Sequence, residues 1–398
     1  MSQTIELAPM PPPVTDVSRQ PQNRLPPGDL RVALMGRSLR GQFSGVVRYT
    51  DELVGALAPH LGRNLSVFVT RGDDGLGELP IHRIRAPFPT PNEYTRAFWE
   101  QTVVPFDVRR VRPDVYHSPN YIIPAALPCP SVVTVHDVAF LDRSVHRLKS
   151  HLYLTACTLV ALRKSARVVC VSHYTAAQII QRFGWVREKV RVIGEGVGGN
   201  FVPSGAAAVQ QFRDRYGIAG PYVLFVGTVE PRKNLPRLLR AFELAVSRHA
   251  LPHDLVIAGA AGWKTGAVRG AYERSSVRGR INFIGYVPDY DLPAAYSGAD
   301  AFVYPSLHEG FGLPPLEAMA CGTPVITSDS TALAEVAGPA ALTADPTNTE
   351  ALAGAIASLL SDTRARERLR RAGLSHAAQF RWDAVAGEML SLYREAAR

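Results

Sequence analysis

The sequence predicts an α/β protein built from two doubly wound parallel-sheet domains that face each other across a cleft. The chain has 398 residues, and domains of about 150 residues lead us to expect two of them. Short, continuous apolar runs alternate along the chain with segments of helix length. Such runs are typical of parallel strands covered by helices on both faces of a sheet, so each domain is expected to be Rossmann-like.

The apolar runs predict six strands before residue 200 and five after it. A glycine-rich segment without periodicity, Gly194–Ser204, separates the two groups and predicts the domain boundary. The predicted strands lie at 31–36, 65–70, 114–118, 131–137, 167–172 and 190–194, and then at 222–227, 254–259, 281–287, 301–306 and 323–328.

The chain therefore divides into four parts. Residues 1–29 are rich in proline and polar residues, and they predict a disordered leader rather than a signal peptide because they lack an apolar core segment. Residues 30–200 are expected to form the first domain and residues 201–380 the second. Residues 381–398 predict a last helix that could cross back to the first domain.

Composition excludes several classes of protein. Hydrophobic residues make up 46% of the chain and charged residues 20%, which excludes a disordered or collagen-like protein. The four cysteines show no C-x2-C spacing, so they indicate reduced thiols rather than a disulfide scaffold or a zinc module. The charge-free stretch at 115–136 contains four prolines, which do not suit a membrane-spanning helix.

The positive charge is concentrated in the first half of the chain. The net charge is +9, and residues 1–200 contain 24 basic and 16 acidic residues, whereas residues 201–398 contain 20 and 19. This asymmetry indicates that one half meets an anionic surface or substrate. Nucleic acid is not favoured, because no runs of Lys and Arg are interleaved with aromatic residues.

Two short motifs favour structural roles. GEGVGG at 194–199 matches a dinucleotide-binding string, but the following Asn200–Pro203 does not begin a helix, so we interpret the motif as an interdomain hinge. Asp289-Tyr290-Asp291 resembles a metal-binding D-x-D. Because it precedes a helical segment, we interpret it as a helix N-cap and expect no metal there.

A candidate anion site follows the strand predicted at 222–227. Arg232 and Lys233 come after this strand and directly before a predicted helix. Side-chain cations and the N–H groups of a helix N-terminus both attract anions, so the site predicts binding of a diphosphate. We expect Lys233 to be an exposed cation of the cleft that contributes little to stability.

A second candidate site follows the strand predicted at 301–306. Glu309 and Glu317 are eight residues apart and flank a turn that contains Gly310 and Gly312, after which two prolines begin a helix. We expect Glu317 in the first turn of that helix. Acidic side chains in such a place are good acceptors for vicinal hydroxyls, such as those of a ribose.

These second-domain motifs resemble those of retaining glycosyltransferase family 4, which has the two-domain GT-B fold. The E-x7-E element of that family matches Glu309–Glu317, and the resemblance implies that Glu309 meets the donor sugar and Glu317 the ribose. It also implies that Lys233 grips the donor diphosphate. Arg232 is the candidate replacement for an arginine where this chain has Thr228. Backbone groups of the turn are implied to face the sugar or phosphates, at Gly310, Phe311, Gly312 and Leu313.

Three segments of the first domain resemble the same family. GQFSGVVRYT contains Gly45, which would let the backbone approach the donor phosphates, and Arg48 on the following helix. TVHDVAF has His136 and Asp137 at a strand end, and in VSHYT we expect Ser172 to cap a helix at the cleft. The resemblance implies a catalytic group of His136, Glu309, Lys233 and Arg232, and an acceptor side of His136, Asp137, Ser172 and Arg48.

The resemblance implies a retaining, metal-independent transfer of a hexose from a nucleotide sugar, without a further cofactor. EPRKN and HEGFGLP resemble motifs of bacterial mannosyltransferases that build O-antigen or exopolysaccharide, which favours GDP-mannose as donor, with a UDP-sugar next. The implied acceptor is a saccharide or a polyprenyl-linked saccharide, and the implied location is the cytoplasm. The alternatives are a sugar-nucleotide epimerase on the same fold and a non-catalytic nucleotide-sugar-binding scaffold.

The helix predicted at 147–164 is a candidate contact with the inner face of the cell membrane. Its apolar stripe and terminal cations suit an amphipathic surface helix, although the same stripe suits a core-facing helix. The charge of the first half favours peripheral contact with anionic lipid. The stripe consists of Leu148, Leu152, Thr155, Leu159 and Leu162.

Overall fold

Two parallel-sheet domains make up the structure, and the predicted fold class is confirmed. The leader predicted at 1–29 lies outside the described residues. The computed structural model describes residues 30–36, 45–71, 76–90, 92–138 and 148–398.

The first domain is built on seven described strands, which pair in parallel. Their bounds are β1 Val32–Met35, β2 Leu65–Val69, β3 His82–Arg85, β4 Val115–Ser118, β5 Ser131–Val135, β6 Arg167–Cys170 and β7 Val190–Val192. Their order in the sheet is β3-β2-β1-β4-β5-β6-β7. The order reverses direction between β1 and β4, and such a switch point is where ligands bind in open α/β sheets.

The second domain repeats this plan with six parallel strands. Their bounds are β8 Tyr222–Val226, β9 Asp254–Ala258, β10 Ile281–Gly285, β11 Ala301–Tyr304, β12 Val325–Ser328 and β13 Leu342–Ala344. Their order is β10-β9-β8-β11-β12-β13, with the switch point between β8 and β11.

Helices connect the strands. Most of the helices that the structure describes bury one apolar stripe. In α7, the buried Leu235, Leu238, Leu239, Phe242 and Val246 recur at helical spacing, and this helix packs against α12. The helices are α1 Gly45–Leu61, α2 Glu93–Thr102, α3 Val104–Val111, α4 Leu148–Lys164, α5 His173–Arg182, α6 Ala206–Tyr216, α7 Leu235–His249, α8 Gly266–Arg274, α9 Leu292–Ser297, α10 Leu313–Ala320, α11 Thr331–Ala337, α12 Thr349–Ser361, α13 Thr363–Ala377 and α14 Trp382–Ala396.

Each of the eleven predicted runs contains a strand, but the sequence reasoning missed β3 and β13. Both lie at the edge of a sheet. The HRIR sequence of β3 is charged and partly exposed, and β13 has only three residues. An edge strand needs no continuous apolar run, so neither segment carried the signal that identified the others.

The two domains are joined by two chain crossings that lie side by side. The Val197 amide donates to the Phe380 carbonyl at 2.9 Å. A Cβ on Gly196 would lie 2.7 Å from the indole of Trp382, so glycine is required at this close approach. The segment interpreted as a hinge therefore packs against the start of the last helix.

The last helix, α14, packs on the first domain, against α1 and β5. The Tyr393 hydroxyl lies 2.7 Å from Nδ1 of the buried His117. Glu395 forms ion pairs with Arg167 at 2.9 Å and Arg191 at 2.8 Å. These contacts attach the C-terminal helix to the first domain.

The described side chains of α4 favour the core-facing alternative for the C-terminal part of its stripe. Leu162 is fully buried, and Leu159 packs against the same core cluster, so this end of the stripe faces the protein interior. The side chains of Leu148 and Leu152 lie outside the described residues. In the described part of the chain, no helix is both long and apolar enough to cross a membrane.

Candidate active site

The candidate site residues follow the carboxyl ends of strands. Arg232 and Lys233 follow β8, and Glu309 follows β11; in the first domain, His136 follows β5 and Ser172 follows β6. Because each sheet is parallel, its carboxyl ends lie along one edge. Contacts across the cleft bring these two edges together.

A cluster centred on Glu309 joins the ends of β8 and β11. The Glu309 carboxylate accepts hydrogen bonds from Lys233 Nζ at 2.5 Å and from Arg232 Nη1 at 2.8 Å, one at each oxygen. Two hydroxyls also donate to Glu309 Oε1, Ser306 Oγ at 2.7 Å and the Tyr304 hydroxyl at 3.1 Å. The structure therefore brings together three of the four residues predicted to be catalytic.

Burial and charge act in opposite directions on this cluster. Burial by itself raises the pKa of Glu309, but the charges of Arg232 and Lys233 outweigh it and lower that pKa to about 2. Burial lowers the pKa of Lys233. The Glu309 charge raises it but only partly offsets the effect of burial, so the pKa stays below its ordinary value. Lys233 is only 5% exposed, so the expectation of an exposed cation is wrong.

A tight turn buries Lys233. Pro231–Lys233 forms one turn of 3-10 helix, and Asn234 follows in the left-handed conformation with φ of 60°. The Asn234 side-chain amide donates to the carbonyls of Pro305 at 3.1 Å and Pro346 at 2.7 Å. These bonds tie the turn to the segments after β11 and β13, and Lys233 therefore meets Glu309 rather than solvent.

The glycine turn after Glu309 packs against the first domain. A Cβ on Gly310 would lie 1.5 Å from the carbonyl oxygen of His136, so no side chain fits there. Gly312 has a φ of 117°, which favours glycine for conformational reasons. The Phe311 and Leu313 side chains are buried in the core, and Leu313 begins α10.

Ser172 links the two domains at the start of α5. Its Oγ accepts the Thr175 amide at 3.0 Å, which is the N-cap bond, and donates to the Gly310 carbonyl at 2.6 Å. Glu335 on α11 of the second domain accepts the backbone amides of His173 and Tyr174 at 2.8 Å and 2.9 Å. The N-terminus of α5 is thus a contact surface between the domains.

His136 lies at the end of β5 between two acceptors. Its Nδ1 is 3.0 Å from Glu195 Oε1, and its Nε2 is 2.9 Å from the Pro119 carbonyl oxygen. Burial lowers the pKa of His136, but the hydrogen bond and charge of Glu195 outweigh burial and raise it. The ring is therefore held in one orientation. Asp137 follows it, and the Asp137 Cα would lie 3.0 Å from a Cβ on Gly310.

Helix α1 carries Gly45 and Arg48. Gly45 begins the helix with open space around the position of a Cβ. Arg48 pairs with Glu317 and, at 2.5 Å, with Asp289, so the structure places it against residues of the second domain. Glu317 is the fifth residue of α10, one turn further along than expected, and it is almost fully buried.

The helix-cap interpretation of Asp289-Tyr290-Asp291 is wrong in its chemistry. Asp291 precedes α9, but its side chain makes no capping bond. It pairs instead with Arg215 at 2.6 Å, while Asp289 pairs with Arg48. Across the residues that the structure describes, no three His, Cys, Asp or Glu side chains are grouped to hold a metal ion.

Sequence reasoning missed five side chains of the site: Tyr296, Tyr304, Ser306, Glu195 and Glu335. Tyr304 and Ser306 belong to the YPS string that ends a predicted strand, so their position was a usable signal. Glu195 lies inside the glycine-rich segment that was interpreted only as a hinge. Tyr296 and Glu335 lie on ordinary helical segments and carry no local signal.

Both halves of the chain match models of known glycosyltransferase families. The family "Glycosyltransferase Family 4" matches residues 43–198, and "Glycosyl transferases group 1" matches residues 210–376. The fold and the site thus define a two-domain glycosyltransferase.

Relatives of this chain include mannosyltransferases of Escherichia coli. The chain is 34% identical to O-antigen chain mannosyltransferase B over 70% of its own length and 74% of that protein. It is 29% identical to the serotype-specific mannosyltransferase WbdA over 67% of its own length, but this match spans only 34% of WbdA. The chain belongs to glycosyltransferase family 4, and neither the epimerase nor the scaffold alternative is retained.

Solved structures show the same GT-B fold. Sucrose-phosphate synthase from Thermosynechococcus elongatus superposes with a TM-score of 0.72 at 23% identity, covering 92% of this chain and 98% of that one. WaaG, a glycosyltransferase involved in lipopolysaccharide biosynthesis, gives a TM-score of 0.72 at 17% identity, covering 91% and 99%. At these identities the likeness establishes the fold alone.

Proposed function

We propose that this protein is a retaining, metal-independent mannosyltransferase that uses GDP-mannose and extends a saccharide or polyprenyl-linked saccharide in surface-polysaccharide synthesis. The observation that carries the proposal is the convergence of Arg232 and Lys233 on Glu309 at the strand ends that contact the His136 segment. The choice of mannose is supported by the related E. coli proteins, which are mannosyltransferases.

In this proposal, Arg232 and Lys233 stabilise the departing nucleoside diphosphate by their charge. The acceptor hydroxyl attacks the face of the sugar that the diphosphate leaves, and the departing phosphate takes the hydroxyl proton. Glu309 is held ionised by its two cations, with a pKa of about 2, so it has no proton to donate near neutral pH. Glu309 and His136, whose ring is held by two hydrogen bonds, therefore orient the sugar.

A panel of nucleotide sugars tests the donor. We expect GDP release from GDP-mannose to exceed UDP release from UDP-glucose, and the anomeric NMR signal of the product should show the same configuration as the donor. Faster turnover of a UDP-sugar would replace the proposed donor, and an inverted product would exclude the proposed mechanism.

A chelator tests metal independence. EDTA should leave turnover unchanged. A loss of turnover in EDTA that Mg²⁺ or Mn²⁺ restores would exclude metal independence.

We further propose peripheral contact with the cytoplasmic face of the membrane, through the α2–α3 surface rather than α4. Phe98 and Phe106 on these helices are 59% and 61% exposed, and the Arg109 guanidinium lies 5.8 Å from the Phe106 ring centre. Exposed aromatic and cationic side chains together suit anionic lipid. Gln101 of α2 contacts Ile123 in the segment after β4, which also contains the His136 partner Pro119.

Vesicle sedimentation tests this contact. The protein should sediment with anionic vesicles at low salt and with neutral vesicles much less, because salt screens the attraction. Phe98→Ala/Phe106→Ala should reduce binding, whereas Tyr290→Ala, which removes a 76% exposed aromatic ring from the second domain, should not. Equal sedimentation with both vesicle types would exclude the contact and favour a soluble acceptor.

A further inference from the structure

Arg48 of the first domain bridges two carboxylates of the second. Its Nη1 donates to Glu317, and its Nη2 donates to Asp289 at 2.5 Å. The guanidinium also lies 5.3 Å from the ring centre of Phe201, in the segment that follows the first interdomain crossing. One cation thus contacts both sides of the cleft and the connection between them.

Glu317 receives Arg48 in a buried position. It is 1% exposed, and its second oxygen accepts the Tyr296 hydroxyl at 3.0 Å. The tyrosine hydroxyl is neutral, so Arg48 supplies the positive charge bonded to this carboxylate. A buried carboxylate that loses its cationic partner is strongly destabilised.

These two bonds leave Glu317 with capacity to accept more. An ionised carboxylate offers about four lone-pair positions, and Arg48 and Tyr296 use one on each oxygen. The remaining positions are sufficient in number for the two hydroxyls of a vicinal diol while both protein groups stay in place. Because Arg48 comes from the first domain, this arrangement exists only while the two domains are in contact.

We propose that Arg48 is a positioning residue that completes the nucleotide site from across the cleft, by orienting and neutralising Glu317 when the domains close. The inference rests on the proposed role of Glu317 as the ribose acceptor. It assigns Arg48 to nucleotide binding and to closure of the cleft, and it gives Asp289 the function of holding the guanidinium against Glu317. A nucleotide bound to the second domain would then favour closure.

Arg48→Met removes the charge while keeping an unbranched apolar side chain. We expect about tenfold weaker GDP binding by calorimetry and a tenfold higher KM for the donor, with a smaller change in kcat at saturating donor. Arg48→Lys should restore part of the affinity. The matched control is Arg215→Met, which breaks the neighbouring ion pair with Asp291 inside the second domain and should change neither constant.

Small-angle scattering measures the closure of the cleft directly. If Arg48 had only a structural role, its loss would not change the response of the radius of gyration to GDP. Addition of GDP should reduce the radius of gyration of the wild type, but not that of a folded Arg48→Met variant. Tighter GDP binding by the variant would overturn the proposal, because Arg48 would then compete with the ribose. Unchanged binding and compaction would also overturn it. A wild type that binds GDP without turning over any donor would instead count against the proposed function.

Discussion

The Ser172 hydroxyl donates a hydrogen bond of 2.6 Å to the Gly310 carbonyl across the interdomain cleft. Thr175 Oγ1 donates to the same carbonyl at 3.1 Å, and a Cβ on Gly310 would clash with the His136 carbonyl. The turn that separates the two glutamates of the second domain therefore touches two strand ends of the first. One short backbone segment therefore takes part both in the contact between the domains and in the proposed sugar site.

Gly310→Ala should obstruct this contact. Its Cβ would lie 1.5 Å from the His136 carbonyl oxygen, so one of the two segments must move. A displacement of about 1 Å at a reacting centre can lower the rate about 100-fold, and we expect kcat to fall by that order. Donor turnover and scattering would measure the loss of activity and of closure. Gly354→Ala in α12, where a Cβ meets no atom within 4 Å, is the matched control, and equal turnover by both variants would contradict the prediction.

Removal of Lys233 should affect stability as well as turnover. Lys233→Met leaves the buried Glu309 with Arg232 as its remaining cation, and breaking a buried pair costs about 3 kcal/mol. Lys233→Met/Glu309→Gln removes both charges and should recover much of the free energy of unfolding, but not the turnover. Urea unfolding and nucleotide release separate the two effects. Wild-type turnover and donor affinity in the single variant would refute the diphosphate assignment.

Substitutions of Glu317 and Glu309 should affect different ligands, the nucleotide in one case and the donor sugar in the other. Glu317→Gln is expected to weaken binding of GDP itself about tenfold or more, since hydrogen bonds to a charged group contribute about 1.5–3 kcal/mol. Glu309→Gln should leave GDP binding nearly unchanged and reduce turnover of GDP-mannose, because its proposed partner is the sugar. Calorimetry with GDP and steady-state kinetics with the donor measure the two effects. Equal losses of GDP affinity would remove the proposed division of roles.

His117 should make the protein less stable in acid. It is fully buried, with Tyr393 at 2.7 Å and Thr134 at 2.9 Å from its ring nitrogens, and burial, aided by His136, lowers its pKa to about 3. The unfolded chain binds more protons than the native protein between that value and about 6.5, so stability falls as pH decreases through this range. At pH 5 the loss should approach about 2 kcal/mol, at about 1.4 kcal/mol per pH unit.

Urea unfolding at pH 7.5 and pH 5 checks this dependence. His117→Gln removes the titration, so the variant should be less stable at pH 7.5 but should lose less stability on acidification than the wild type. The difference between the two pH values, rather than the absolute stability, is the readout. An identical pH dependence in both proteins would show that His117 does not carry the effect.

The sequence by itself determined the two parallel sheets and the segments that follow their strands. Continuous apolar runs identified eleven strands because a strand covered on both faces must be apolar along its length. Glu309, Arg232 and Lys233 each follow a predicted strand of the second domain, and the resemblance to family 4 grouped them in one catalytic set. The edge strands β3 and β13 escaped the same reasoning because edge strands are not subject to that requirement.

Only the tertiary structure decided which charges meet. Arg48 and Glu317 are 269 positions apart, and the identity of the partner depends on how the two domains face each other. The burial of Lys233 follows from the turn held by Asn234, and the engagement of Asp289 follows from the reach of Arg48 across the cleft. A local sequence pattern reflects what a single strand or turn requires. Which distant charges pair depends instead on where the assembled domains place them.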